Sequence, residues 1–123
     1  MSRAPLPSEE AIHKAVAQFL DTVIKPPEFW STIPSGGGGK IRGARLKAMG
    51  LKRGLPDLMI FRPGPQILAI ELKAPKGSLT PDQKAVREIL RACGLMWTTC
   101  KSVQEVNLAL RVFRAGWPER RAA

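Results

Sequence analysis

Asp57, Glu71 and Lys73 are two acids and a lysine at spacings that let a short turn bring them together. Asp57 precedes the apolar run Leu58 to Phe61, and Glu71 and Lys73 follow the run Ile67 to Ile70. Pro63-Gly64-Pro65 separates the two runs, and such punctuation between short β-branched segments predicts a hairpin. With those three residues as the loop, Arg62 pairs with Gln66, and Asp57 comes directly opposite Glu71. Alternation then puts Lys73 on the face of Glu71, Met59, Phe61, Ile67 and Ala69, leaving Leu58, Ile60, Leu68, Ile70 and Leu72 for the other. Two apolar faces predict a hairpin in the middle of a sheet covered on both sides, with its charges gathered at one end. Paired carboxylates there repel one another unless a proton, a cationic side chain or a metal offsets them. A divalent cation would satisfy both acids and leave Lys73 free to act on a substrate.

The elements that must position these residues can be read from caps and periodicity. Ser8 is a good N-cap for a helix carrying Ile12, Val16, Phe19, Leu20 and Val23 at helical spacing. Glu9 falls on the inward edge of that apolar stripe and Glu10 on the far side. Two readings of Glu9 fit equally: a third acidic ligand, or a complement to the positive end of the helix dipole. Pro26-Pro27 ends the helix, and Phe29 to Ile33 reads as a short strand. Ser35 to Lys40 contains four glycines and a lysine but lacks the residues of a phosphate-binding P-loop, so no nucleotide cofactor is expected and the glycines predict a mobile loop. A short helix over Ala44 to Met49 is stopped by Gly50.

Beyond the hairpin, Thr80-Pro81-Asp82-Gln83 reads as N-cap, first-turn proline and capping-box glutamine. Gln83 therefore has a structural role open to it as well as one at the adjacent site. Val86, Ile89, Leu90 and Cys93 give that helix its apolar face, and Gly94 stops it. Leu95 to Cys100 reads as a strand. Ser102 and Glu105 form a second capping box opening a last helix through Val106, Leu110 and Phe113. The order of elements predicts an α/β fold, a mixed sheet with helices on both faces. One domain spans residues 1–123, with a core over about residues 8–113 and a basic tail over 114–123.

The chain has 123 residues and a formal charge of +10, with a sequence pI near 10.5. Such a balance points to a polyanionic partner, nucleic acid first. Lys40, Arg42, Arg45, Lys47, Lys52 and Arg53 arrive in one stretch without an acid and lead straight into Asp57. They are candidates for holding a phosphate backbone beside the acids, each contact adding salt-dependent affinity. No apolar stretch approaches the roughly 20 residues that span a bilayer, so no membrane partner is expected. Met1 to Ser8 lacks the apolar core of a signal peptide, which predicts a cytoplasmic protein. Cys93 and Cys100 match no zinc spacing, and both are expected reduced and buried. The single histidine, His13, excludes a multi-histidine metal site and leaves carboxylates to hold a hard cation such as magnesium or manganese.

Pro56-Asp57, Glu71-Leu72-Lys73 and the downstream Gln83 resemble the PD-(D/E)XK nuclease motif. The wording Lys47 to Leu51, Gly54 to Leu58, Glu71 to Pro75 and Leu79 to Gln83 is similar to the VRR-NUC branch, and in particular to its small stand-alone members in phages and prophages. The likeness covers roughly residues 8–110. It implies a restriction-endonuclease-like fold and a metal held by Glu9, Asp57, Glu71 and the Leu72 backbone carbonyl. It further implies that Lys73 assists hydrolysis beside Gln83, that products carry a 5′-phosphate and a 3′-hydroxyl, and that a homodimer acts on four-way DNA in a bacterial or phage-infected host cell. Nothing in the sequence reads bases, which favours recognition of branched or otherwise structured DNA. Alternatives are a nuclease acting on flaps, nicks or ends, and a basic DNA-binding module without catalysis. A hydrolase of small phosphorylated substrates would not need so large a charge.

Overall fold

Pro63, Gly64 and Pro65 close the hairpin as the sequence predicts: Arg62 pairs with Gln66 in the computed structural model, and the antiparallel ladder runs to Leu58 opposite Ile70. Residues 5–34 and 39–116 are described by the structure. Of the expected mobile glycine loop, Gly36 to Gly38 lie outside them, as does the end of the basic tail, 117–123, whereas Gly39, the fourth glycine, opens a helix. The two hairpin strands, β2 (Leu58–Arg62) and β3 (Gln66–Leu72), occupy the centre of a four-stranded sheet. An edge strand, β1 (Phe29–Thr32), runs antiparallel to β2, and β4 (Met96–Cys100) runs parallel to β3 on the other side. The β3–β4 connection passes through a helix, α3 (Pro81–Ala92), because parallel neighbours need a long crossover.

One sheet face makes the core. Leu58, Ile60, Leu68, Ile70 and Leu72 are fully buried there, together with Met96 and Cys100 of β4. Two helices cover them: α1 (Glu9–Val23) through Ile12, Val16 and Leu20, and α4 (Val103–Arg114) through Val106, Leu110 and Phe113. Each of these buried aliphatic side chains contributes about 1.5–3 kcal/mol by leaving water. At the hairpin end, Glu28 accepts hydrogen bonds from Arg62 Nε at 3.0 Å and from Arg114 Nη2 at 2.6 Å. The Arg114 guanidinium first, and Arg62 with it, holds the Glu28 carboxyl below its ordinary range. Arg114, where the tail was expected to begin, thus still closes α4.

The opposite face is covered by α3 at its β4 end, and here the structure departs from the expected apolar contact. Ile89 is 61% exposed, Cys93 is exposed where it caps α3, and no residue of α3 is buried. Instead Arg87 and Arg91 lie over the buried Trp97 ring at 5.8 and 5.7 Å. Val86 and Leu90 of the expected apolar face are half-buried, and the two guanidinium groups with apolar stems cover the indole while keeping their charge near water. Toward β1 this face is less covered than expected: Met59, Phe61 and Ile67 are half-buried, and Phe29 is exposed.

The caps follow the sequence with one difference. Ser8 accepts from Ala11 N–H, and Thr80 and Gln83 form the full reciprocal box. Ser102 accepts from Glu105 N–H, but Glu105 reaches back to Lys101 N–H rather than to Ser102, so the last helix has half a box. The basic helix α2 spans Gly39–Ala48, longer at its start than the predicted Ala44 to Met49. Gly43 weakens that start by about 1 kcal/mol without ending it, whereas Gly50, at φ +105°, does end the helix.

Candidate active site

Regular pairing of β2 with β3 stops at Leu58, one residue short of Asp57. The Asp57 N–H bonds to Ile70 O at 3.0 Å, its carbonyl accepts from Ile33 N–H at 2.8 Å, and its carboxylate turns across to β3. There Oδ2 accepts from Leu72 N–H at 2.7 Å. The Leu72 amide, not its carbonyl, is the group seen tied to an acid, while Leu72 also borders a small cleft with Glu9 and Asp57. Asp57 thus reaches Glu71 by leaving the ladder.

Glu71 is 2% exposed, at the end of β3. Its Oε1 accepts from Gln83 Nε2 at 2.6 Å and lies 3.8 Å from Lys73 Nζ, whose residue is 7% exposed. Its Oε2 is buried with no hydrogen-bond partner. Burial, then the neighbouring Asp57 charge, pushes the Glu71 carboxyl up to about 8, with Lys73 opposing. Gln83 fills both roles left open by the sequence, since its Oε1 accepts from Thr80 N–H at 2.9 Å while its amide nitrogen serves Glu71. Glu9 stands in the first turn of α1, exposed, and offers the third acid: oxygens of Glu9, Asp57 and Glu71 lie within 4.8 Å of one another. Glu10 instead pairs with Lys14 at 3.3 Å, well out in solvent.

Among the described residues, these three acids are the one group placed to hold a metal ion. The donor set fits a hard divalent cation, which favours oxygen ligands, and the unpartnered Oε2 is the kind of buried atom such an ion would satisfy.

The acids line a cleft of about 1100 Å³ whose other wall is α2 and the loop that follows it. Lys40, Lys47, Lys52 and Arg53 border this cleft, and Arg42 and Arg45 do not. At about 100° per residue, Arg42 and Arg45 sit about 200° and 140° around α2 from Lys40, and Lys47 almost in line with it. The expected basic group is therefore divided: Lys40 and Lys47 on one side of α2, Arg42 and Arg45 on the other, and Lys52 and Arg53 in the loop that follows.

Sequence reasoning missed three supports of the site. Thr32 Oγ1 donates to Asp57 O at 2.9 Å and lies 2.9 Å from His13 Nε2. With the hydroxyl proton on the Asp57 carbonyl, the Nε2-protonated tautomer of His13 would complete the chain of contacts. No spacing in the chain announces that contact, because β1 and α1 are distant from Asp57 in the sequence and meet it only in the folded chain. Gly54 is the third, and its place before Pro56-Asp57 was the one available signal. Its φ is +85°, and a Cβ there would overlap the Asp82 carbonyl, with the carbonyl carbon at 2.6 Å. Close backbone approach holds the basic loop against the start of α3, where Gln83 stands. Gly54→Ala is expected to cost more than about 2 kcal/mol, through strain and steric overlap together; a melting temperature within about 2 °C of wild type would show that the approach is not required.

A sequence model of the VRR-NUC domain matches residues 37–104, a little over half the chain. The chain belongs to the VRR-NUC domain family. That match takes in Asp57, Glu71, Lys73 and Gln83, and Glu9 lies outside it. Two solved structures share the fold. One, described as a VRR_NUC domain protein, is 23% identical with a TM-score of 0.72, over 90% of this chain and 91% of that one. The other, described as a VRR_NUC domain, is 17% identical with a TM-score of 0.57, over 85% and 97%. None of the curated proteins compared with the chain matches it. This VRR-NUC domain has the mixed four-stranded α/β architecture of those structures, and its family is one of nucleases. No helix among the described residues is long and apolar enough to cross a membrane.

Proposed function

We propose that this VRR-NUC domain is a metal-dependent, structure-selective DNA endonuclease, acting as a homodimer on branched DNA in the manner of a Holliday-junction resolvase. The observation that carries the reading is the convergence of Glu9, Asp57 and Glu71 beside the buried Lys73, at one end of a cleft bordered by basic residues. Glu9, Asp57 and Glu71 would hold magnesium or manganese, with the Leu72 carbonyl as a further candidate. A bound ion would supply Lewis acidity toward the scissile phosphate and a lowered pKa for water. Lys73 positions the attacking water or offsets charge developing on the phosphoryl oxygens, aimed by its pairing with Glu71. Gln83 fixes the Glu71 carboxylate through the hydrogen bond to Oε1. Lys40, Lys47, Lys52 and Arg53 hold the backbone of the strand to be cut.

A dimer follows from the substrate's symmetry. One small domain has one site, and paired symmetric cuts at a four-way junction need two. The test is cleavage of labelled four-way junction, flap, linear duplex and single-stranded DNA, with magnesium, manganese or chelator. Symmetric, metal-dependent cutting of the junction is expected. Cutting of flaps or ends alone would keep the chemistry and overturn the junction assignment, and binding without cutting under every metal would overturn the nuclease. Lys52→Gln with Arg53→Gln is expected to weaken DNA binding about tenfold and to reduce the slope of log K against log salt by about two. An unchanged slope would place the phosphates elsewhere.

A further inference from the structure

α2 is a helix that the rest of the fold does little to explain. None of its residues is buried, and it carries Lys40, Arg42, Arg45 and Lys47 with no acid. A ten-residue helix without a buried face is marginal in water, and Arg42 and Arg45, three residues apart on one side, repel. Its charges lie on two opposed flanks: Lys40 and Lys47 border the cleft, and Arg42 and Arg45 face the other way, about 170° around the axis. Between the flanks falls Ile41, at 83% the most exposed large apolar side chain described, with Ala48 close to it in angle. Leu46, on the remaining side, is half-buried.

We propose that α2 occupies the major groove of duplex DNA, with Lys40 and Lys47 on the backbone of the strand presented to the acids and Arg42 and Arg45 on the backbone across the groove. This rests on the reading of the cleft as a DNA site, and it assigns double-stranded DNA at the point of cutting. The dimensions agree: a helix with its side chains is about 10–12 Å across, and the major groove of B-form DNA is about 12 Å wide. A solvated basic face would explain Arg42 and Arg45 alone. It would not explain two opposed basic flanks with an exposed isoleucine between them, on a helix with no burial to hold it. The side toward the groove floor carries Ile41 and Ala48, which have no donor or acceptor, so the helix would grip both backbones while discriminating little between base pairs.

The test is binding in chelator to a labelled duplex and to one of its strands alone, across a salt series. The proteins compared are wild type, Arg42→Gln/Arg45→Gln, Lys40→Gln/Lys47→Gln, and Arg42→Lys/Arg45→Lys. The outer glutamine pair is expected to weaken duplex binding about tenfold and lower its salt slope by about two, while single-strand binding stays within twofold. The inner pair should weaken both, and the lysine pair should keep the wild-type slope. Equal loss on duplex and single strand would overturn the proposal by placing both flanks on one backbone, and no loss on either would overturn it as a solvated face. Cleavage is scored separately with magnesium: a protein that cuts nothing but shows these slopes would overturn the nuclease reading and leave α2 in the groove.

Discussion

Glu71→Gln is expected to give a protein that cuts no DNA and, without metal at pH 8, melts higher than wild type. The sign follows from the raised Glu71 carboxyl. An unfolded glutamate releases its proton near 4.5, whereas the folded chain keeps it up to about 8. Between those values the folded state binds the extra proton, so metal-free stability falls as pH rises through that window. The accumulated loss at pH 8 is on the order of a few kcal/mol for a side chain only 2% exposed. Glutamine has no such proton to lose, keeps an oxygen for Gln83 Nε2, and offers an amide hydrogen toward Asp57. Scanning calorimetry in chelator should show the two proteins alike at pH 4.5, with the variant about 10 °C higher at pH 8. Magnesium should raise the wild type at pH 8 and leave the variant nearly unchanged. If the variant instead melts lower at pH 8, the Glu71 carboxylate is already compensated by the protein, and the acids are an ordinary structural cluster.

Lys73→Met should cut at least about a hundredfold more slowly while binding DNA within about twofold of wild type. Removing one preorganised positive or hydrogen-bonding group from a developing anion costs about 10² to 10³ in rate, because the group acts in a site that excludes water. Lys73 meets that condition, being 7% exposed and 3.8 Å from Glu71. It is too enclosed to add much to the long-range attraction of a chain with charge +10, so affinity should hardly move. Methionine fills the same stem, which limits any packing loss. Single-turnover cleavage and equilibrium binding, measured on the same substrate, separate the two effects. Equal losses in rate and affinity would make Lys73 a binding residue.

Elements with local causes are legible in the order of residues alone. The hairpin loop needs only Pro63-Gly64-Pro65 and two flanking runs, and its Arg62 to Gln66 pairing follows by counting. Ser8 and Thr80 announce their helices by chemistry complete within four residues. Position along a helix likewise separates Glu9 from Glu10, because about 100° per residue sets which edge faces the sheet. The expectations that fail are those that depend on what stands opposite. Helical spacing gives Cys93 and Ile89 to an apolar face of α3, but both are exposed and the Trp97 indole is covered by Arg87 and Arg91 instead.

Local order in the chain already places the candidate site groups: two acids and a lysine at the end of a hairpin, a glutamine at a helix start, and an excess of positive charge upstream. Each of those statements concerns residues within one element or one turn. Tertiary structure alone decided that Asp57 leaves the ladder to meet Leu72, that Glu71 is buried with one oxygen unpartnered, and that Lys40 and Lys47 face the acids while Arg42 and Arg45 face away. Those facts depend on the packing of α1, β1, α2 and α3 around the sheet end. Burial and charge proximity are properties of surroundings assembled from distant parts of the chain, so no window of neighbouring residues contains them.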